Sequence, residues 1–496
     1  MFHTRTSHPR PLHPPRAHRR RISVHQSSPY DHVVLVSVDT LRSDAMSAHP
    51  KPLWPHTYRN IRPVRTSVLD TLASRGAYFP NMISAAPYTA ASHGAIFTGQ
   101  YPLHNGLHEF YNGSLRAPSI FTYGRRDGRR TVMKVDFPII LGKELGFTRD
   151  IDTYLVEEDD AFVEAVAAAD RSVALAHFGS VHVPYGFHNL TLGGDAYREK
   201  VAELEAELPD ELPFVDRLVE TYRDAEDADL LMRYKRATTY LHQQGAYDRL
   251  FQLYLDGVAH FQATRLSAFL DRLTERVTAT GKRMLLVLFA DHGEEFDEQT
   301  NGHFNSMSEG VLRVPLIIVG DGIPPGTYEH RIRTVDIAPT ALDLAAIPAP
   351  ALKNFDGRSL ASVVRGTEPL DGDASAVAES YNVELNDFIA FQERQLNGRT
   401  PGPLPHFLVG HAAYLGDRRV VRMTRHYSDS LQRATPCDRV QVERFGADGV
   451  PRPDPDDDGA DLLALLDDYR TALREPEPTT VTDDIRGQLR SLGYSV

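Results

Sequence analysis

Four short runs along the chain are apolar at nearly every position: residues 33–38, 173–178, 285–290 and 314–319. Runs without alternation predict strands buried on both faces, as in a mostly parallel sheet covered by helices. Pro315 opens the last run, where a missing ladder donor is tolerated. Residues 195–270 carry helical spacing, and Glu203, Glu205, Glu207, Asp210 and Glu211 make their early part strongly charged. That stretch reads as a solvated surface insertion. Strands alternating with helical patterns predict an α/β sandwich. Beyond about residue 375 the pattern weakens. The acidic loop 454–458 there precedes an amphipathic helix carrying Leu462, Leu463, Leu465, Leu466 and Tyr469, a small C-terminal region without a chemical motif of its own.

Two of the apolar runs end in potential ligands. The first runs into Asp39-Thr40 and the third into Asp291-His292-Gly293. In open α/β sheets the ligand site lies beyond the carboxyl ends of the strands. Asp39, Asp291 and His292 are therefore expected to converge there and hold one divalent cation, with Mn, Zn, Mg and Ca all compatible with carboxylates and one imidazole. Taken alone, Asp39 would equally suit a helix cap.

Residues 86–99 are small, with an apolar Ile96-Phe97 pair, and predict a short helix starting near Thr89 and ending at Gly99. A hydroxyl at a helix start sits where free amides and the dipole favour an anion. Against a metal it becomes an attacking oxygen near neutral pH; without one, Thr89 is a plain cap. Asp256 and His260 also have ligand spacing, but inside a helical stretch where one-turn spacing arises freely, so a single metal is expected.

Bulk properties narrow the class. At 496 residues the chain exceeds one simple core and implies a large domain with additions, or two domains. The net charge of −13 argues against nucleic acid as partner. No stretch approaches the roughly 18 apolar residues of a membrane span. The first thirty residues, rich in Arg, His and Pro, read as a disordered basic tail, and the absence of an apolar segment after them predicts a cytoplasmic protein. Cys437 is the only cysteine, so no internal disulfide is expected.

The motifs together resemble the sulfatase branch of the alkaline phosphatase superfamily over roughly residues 30–370. The carriers are Asp39-Thr40-Leu41-Arg42-Ser43-Asp44, Thr89 nine residues before Thr98-Gly99, Tyr101-Pro102, Asp291-His292-Gly293, Arg313-Val314-Pro315-Leu316, Asp336-Ile337-Ala338-Pro339-Thr340 and Asp356-Gly357-Arg358. The resemblance implies an alkaline-phosphatase-like α/β/α sandwich with a mostly parallel central sheet plus a small C-terminal region. Its implied organisation is a tail over 1–30, a catalytic domain over 31–370 with an acidic helical insertion at 190–250, and a C-terminal region over 371–496.

By the same resemblance Asp39, Thr89, Asp291 and His292 hold the metal, and Thr89 is the nucleophile. His182, in a His-x-Pro element, and His303 assist, while Lys134 binds the anion. Asp136 stands where a His is common. Sulfatases cleaving sulfate esters mature a Cys or Ser within Cys-x-Pro-Ser-Arg to formylglycine. This chain has Thr89-Ala90-Ala91-Ser92-His93, and threonine is not a substrate for that maturation. The expectation is therefore hydrolysis of phosphate or sulfate esters with phosphoesters and phosphodiesters favoured. A transferase of phospho-headgroups to a glycan or lipid, or a formylglycine-independent sulfuric ester hydrolase, are the alternatives. The expected partner is an anionic ester: a small molecule, a glycan or a lipid headgroup.

Overall fold

The computed structural model describes residues 29–108, 114–138, 140–187, 194–209, 226–303, 305–349, 355–383, 406–428 and 433–471. All but the last two residues of the expected basic tail, and residues 210–225 of the expected insertion, lie outside them. Among the described residues the larger sheet has nine strands. They are β1 (His32–Val38), β2 (Ala77–Ile83), β3 (Arg130–Val135), β4 (Thr153–Val156), β5 (Ser172–Phe178), β6 (Met284–Phe289), then β9 (Arg313–Val319), β10 (Gly326–Thr327) and β11 (Ile332–Arg333), with β7 (Glu295–Phe296) and β8 (Asn301–Gly302) forming a separate ribbon. Their order is β10-β2-β9-β6-β1-β5-β3-β4, with β11 beside β2.

The five strands from β6 to β4 are mutually parallel, whereas β9 runs antiparallel to both β6 and β2. Val33, Val34, Leu35, Val36 and Val38 are all 0% exposed. Successive side chains point to opposite faces, so both faces of β1 are covered, as its unbroken apolar run requires. The architecture is the expected α/β sandwich with a large, mostly parallel sheet.

Two expectations need correction. The helical stretch after residue 194 is not a solvated surface. Its first helix, Gly194–Ala206, buries Tyr197, Val201 and Leu204, and the Tyr247–Phe261 helix buries Leu250, Phe251, Tyr254, Leu255, Val258 and Phe261. The charged residues occupy the opposite faces, so net acidity concealed an apolar stripe. The Tyr254 hydroxyl donates to the Thr40 carbonyl at 2.8 Å and accepts the Arg42 amide at 2.8 Å, so this helix braces the loop leaving β1.

The weak pattern after residue 375 hides a second sheet. Strands β12 (Ala376–Val383), β13 (His406–Leu415), β14 (Arg418–Ser428), β15 (Arg433–Phe445) and β16 (Pro451–Pro453) form an antiparallel meander. The expected amphipathic helix, Ala460–Arg470, packs on it, with Leu462, Leu466 and Tyr469 buried among Val377, Ala413 and Val420.

Candidate active site

Strands β1 and β6 are adjacent and parallel, so their carboxyl ends open at the same edge of the sheet. Asp39 is the first residue beyond β1, and Asp291-His292 follow β6 after one residue. The turn after His292 needs glycine. A Cβ on Gly293 would lie 2.1 Å from the Gly310 carbonyl oxygen, and the Gly293 amide donates to the Val311 carbonyl at 2.7 Å. Facing both ends is the Thr89–Thr98 helix, buried throughout and closed at Gly99 with φ +63°. Its first residue points into the cluster. Thr89 Oγ1 donates to Asp39 Oδ2 at 3.2 Å and lies 3.3 Å from His292 Nε2.

The two carboxylates divide their oxygens the same way. Asp39 Oδ2 accepts from Thr89 and from His177 Nε2 at 3.2 Å, and Asp291 Oδ1 accepts the His292 amide at 3.0 Å. Asp39 Oδ1 and Asp291 Oδ2 are buried and lie 3.5 and 3.4 Å from His292 Nε2, and Asp291 Oδ2 also lies 3.4 Å from His93 Nδ1. His292 Nδ1 donates to the Gly293 carbonyl at 3.1 Å, which leaves the Nε2 lone pair facing both.

Burial, together with the Asp291 charge, pushes the Asp39 carboxyl well above the usual carboxylate range. Burial also raises Asp291, but the imidazoles of His292 and His93 outweigh it and hold that carboxyl low. Two buried like charges cannot both ionise without a compensating positive charge. The ligand atoms of Asp39, Asp291 and His292 lie within 4.8 Å of one another. Orphaned carboxylate oxygens beside an imidazole lone pair are the donor set of a divalent cation, and the residues present fit one.

His182 and His303 also reach this edge. Their rings lie 5.2 Å apart, and His303 is 4.3 Å from the His292 ring. His182 Nδ1 donates to the Val183 carbonyl at 3.0 Å, and His303 Nδ1 to Glu294 Oε1 at 3.1 Å. Burial is the main reason that His182 is held well below the usual imidazole range and His303 at about 4, so both are neutral near pH 7.

Lys134 is placed differently from its expected role. Its ammonium is buried between Asp136 at 2.6 Å and Asp159 at 2.8 Å and donates to the His177 carbonyl at 2.9 Å. An ammonium has three donors, and all three are used. Arg265 bridges the same two carboxylates. Ser92, the other hydroxyl near Thr89, donates to the Asp291 carbonyl at 2.7 Å and so orients that ligand. Asp256 and His260 do not converge: Asp256 pairs with Arg62 and His260 lies against the Phe187 ring.

Three further residues bear on the cluster, of which sequence reasoning read His177 as a structural histidine within its strand and did not single out the other two. His177, within β5, holds Asp39 through Nε2 while its Nδ1 accepts the Asp136 amide at 3.4 Å. His93 donates from Nδ1 to the Thr89 carbonyl at 2.9 Å, and its Nε2 lies 2.8 Å from Ser37 Oγ. Its position one turn after Thr89 was the available signal. Lys235, in the Glu226–Gln243 helix, carries a charge that depresses both His182 and His303. No local pattern marks it.

The remaining sequence motifs build the frame. Arg42 is buried and pairs with Asp44 and Glu295, tying the loop after β1 to the one after β6. Asp356 Oδ2 accepts from the Tyr101 amide and from His104 Nδ1, each at 2.7 Å. A Cβ on Gly357 would meet the Val335 carbonyl oxygen at 1.9 Å.

The family profile described as Sulfatase matches residues 31–134 and 170–347, more than half of the chain and every strand that delivers the cluster. The chain belongs to the sulfatase family. Sulfatases are ester hydrolases, and the class of chemistry follows. Among curated relatives, the choline-sulfatase of Rhizobium meliloti (strain 1021) is 26% identical over 357 residues, 60% of this chain and 67% of the relative. The arylsulfatase K of Homo sapiens is 38% identical over 80 residues, 16% of this chain and only 15% of the relative. The fold is shared with the phosphonate monoester hydrolase SpPMH from Silicibacter pomeroyi, with a TM-score of 0.57, 18% identity, and coverage of 91% of this chain and 96% of that one.

Proposed function

We propose that this sulfatase-family hydrolase uses Thr89 as its nucleophile, depends on one divalent metal, and favours phosphoesters over sulfate esters. The observation that carries the reading is the Thr89 hydroxyl at 3.2 Å from Asp39 Oδ2, beside carboxylate oxygens of Asp39 and Asp291 that are buried and face the His292 imidazole. Asp39, Asp291, His292 and Thr89 would hold the ion. When bound it would supply a Lewis acid that lowers the hydroxyl pKa and neutralises charge on the transferred group. The unmodified threonine, in place of a residue that can mature to formylglycine, supports the phosphoester preference.

The chain's own groups then divide the work. Asp39 Oδ2 accepts the Thr89 proton and orients the oxygen for in-line attack. A Thr Oγ–P bond forms as the bond to the leaving oxygen breaks. The helix start at Thr89 presents free amides to the equatorial oxygens. Lys235 presents a positive charge on the side of His182 and His303. Water next attacks phosphorus and displaces Thr89 Oγ, giving up its proton to the neutral imidazole of His182 or His303. The Thr89 oxygen regains a proton as it leaves.

The test is a panel of aryl phosphodiester, phosphomonoester and sulfate esters assayed with Mn, Zn, Mg and Ca in turn. Phosphoester turnover exceeding sulfate release, with a phosphorylated Thr89 peptide trapped at short times, supports the reading. Sulfate release exceeding phosphate release, or full activity in Thr89→Ala, overturns it. Product yield that rises with an added polyol would move the assignment from hydrolase to transferase.

A further inference from the structure

Lys134 and Asp136 take no part in the reaction described above, yet both close on one neighbour. The Lys134 ammonium donates to the His177 carbonyl at 2.9 Å, and the Asp136 amide donates to His177 Nδ1 at 3.4 Å. The Asp136 carboxylate accepts the Gly179 amide at 2.8 Å. Arg265 completes the arrangement from the π-helical turn Gln262–Leu266, donating to Asp136 Oδ2 at 2.7 Å and to Ser180 Oγ at 3.2 Å. Such turns often occur at functional sites. The end of β5 is therefore gripped on both sides of His177.

What is gripped is an imidazole aimed at a metal ligand. His177 is fully buried between the rings of His93 and Phe137, at 5.4 and 5.5 Å. Ser37 on β1 lies opposite it on β5, and the Asp39 amide donates to the Phe178 carbonyl at 2.9 Å. That register sets His177 Nε2 3.2 Å from Asp39 Oδ2. Because Nδ1 accepts an amide proton, the one proton of the neutral ring lies on Nε2 and is offered to Asp39. His292 has the opposite tautomer, since its Nδ1 donates to the Gly293 carbonyl. Asp39 Oδ2 thus accepts from two donors, His177 and the Thr89 hydroxyl. A carboxylate oxygen has only two lone pairs, so Oδ2 is saturated and Oδ1 is left for an ion.

We propose that His177 is a positioning residue that confines Asp39 to a single metal contact, through Oδ1, and thereby selects a first-row transition ion over Ca. The inference rests on the one metal proposed above and narrows its identity. With Asp39 so confined, Asp39, Asp291, His292 and Thr89 would offer few donors, one of them an imidazole nitrogen. Ca takes about six to eight oxygen ligands, often with a carboxylate binding through both oxygens. Transition ions accept imidazole and smaller donor sets. Without the His177 proton, Oδ2 would be free to join Oδ1 in a two-oxygen grip, the change that favours Ca.

The experiment is metal binding by the full chain after chelation, read without any turnover. Mn is followed by its EPR signal, and Ca by its displacement of bound Mn, in the wild type, His177→Leu and His177→Gln. The expected result is a wild-type preference for Mn over Ca that narrows about tenfold in His177→Leu, the scale of a lost partner behind a metal ligand. The preference should return in His177→Gln, whose amide N–H can donate to Oδ2. A wild type that binds Ca as tightly as Mn overturns the inference, and that reading stands even if His177→Leu fails to fold. Equal weakening of both ions in His177→Leu, or no recovery in His177→Gln, makes His177 a structural prop and overturns it as well. Uptake of neither ion by the wild type would sink the proposed metal along with this role. The expected preference in a protein that turns over no ester would instead sink the proposed function and support the role of His177.

Discussion

The Thr89 hydroxyl donates to Asp39 Oδ2 at 3.2 Å, and the other oxygen of that carboxylate stays buried without a hydrogen bond. Under the proposed mechanism this one residue would both orient the attacking oxygen and offer a ligand to a cation. Thr89→Ala is expected to lower kcat on the best aryl phosphoester by about a thousandfold or more, the scale seen when a nucleophile is removed. Thr89→Ser keeps the hydroxyl and loses only the methyl group, so it should retain most of the activity. Steady-state assays of the pair separate attack by Thr89 from a merely structural cap.

Metal removal should be visible in stability as well as in rate. Chelation leaves the buried Asp39 carboxyl beside the Asp291 carboxylate around His292, where it must take up a proton. Calorimetry with and without metal is expected to show a higher Tm for the loaded protein, since a ligand at a hundred times its Kd contributes about 2.7 kcal/mol. Asp39→Asn removes one charge and should shrink the difference between loaded and chelated protein while abolishing turnover.

Two lysines make a contrasting pair. Lys134→Met strands Asp136 and Asp159 beside Arg265, and breaking a buried ion network costs about 3–5 kcal/mol. Its signature is a lower denaturation midpoint. Lys235→Met should raise KM for anionic esters.

Burial pushes the Lys235 ammonium down to about 8. It is charged below that value and neutral above it, and the groups it faces include His182 and His303. KM for an anionic ester should therefore rise as pH passes through about 8 in the wild type. In Lys235→Arg, whose guanidinium stays protonated, the rise should disappear. A pH series of KM on the two proteins is the check.

The C-terminal sheet carries its own titration. Glu379 on β12 is buried, and that burial pushes its carboxyl up to about 7, partly offset by Arg470. Tyr381, Tyr469 and His104 also face it. A carboxyl raised above its unfolded value favours the protonated folded state, so its contribution is complete below about pH 4.5 and is lost as pH rises through 7. Urea midpoints should fall from pH 5 to pH 8 in the wild type and fall less in Glu379→Gln.

Much of the site was legible because its carriers sit at strand ends. The runs before Asp39 and Asp291 are apolar throughout, and burial on both faces is written in composition alone. The requirement for Gly293 and Gly357 was visible as motif, although its cause, carbonyl oxygens of Gly310 and Val335 pressed against the missing Cβ, was not. The sheet of β12–β16 was illegible because Arg422, Arg425 and Arg439 break its strands' apolar pattern, and strand preference depends on cross-strand neighbours far away in sequence. Lys134 was misread for the same reason: Asp159 and Arg265, which occupy it, arrive from other elements.

The sequence by itself determined that an α/β sheet would carry Asp39, Asp291 and His292 to one edge and set a threonine at a helix start, because period and composition act locally. Only the tertiary structure decided which charges were left to act. Whether a lysine meets a carboxylate or faces a site depends on contacts between distant segments. Lys134 is quenched and Lys235 is turned toward His182 and His303, since a charge takes its role from the company that folding gives it.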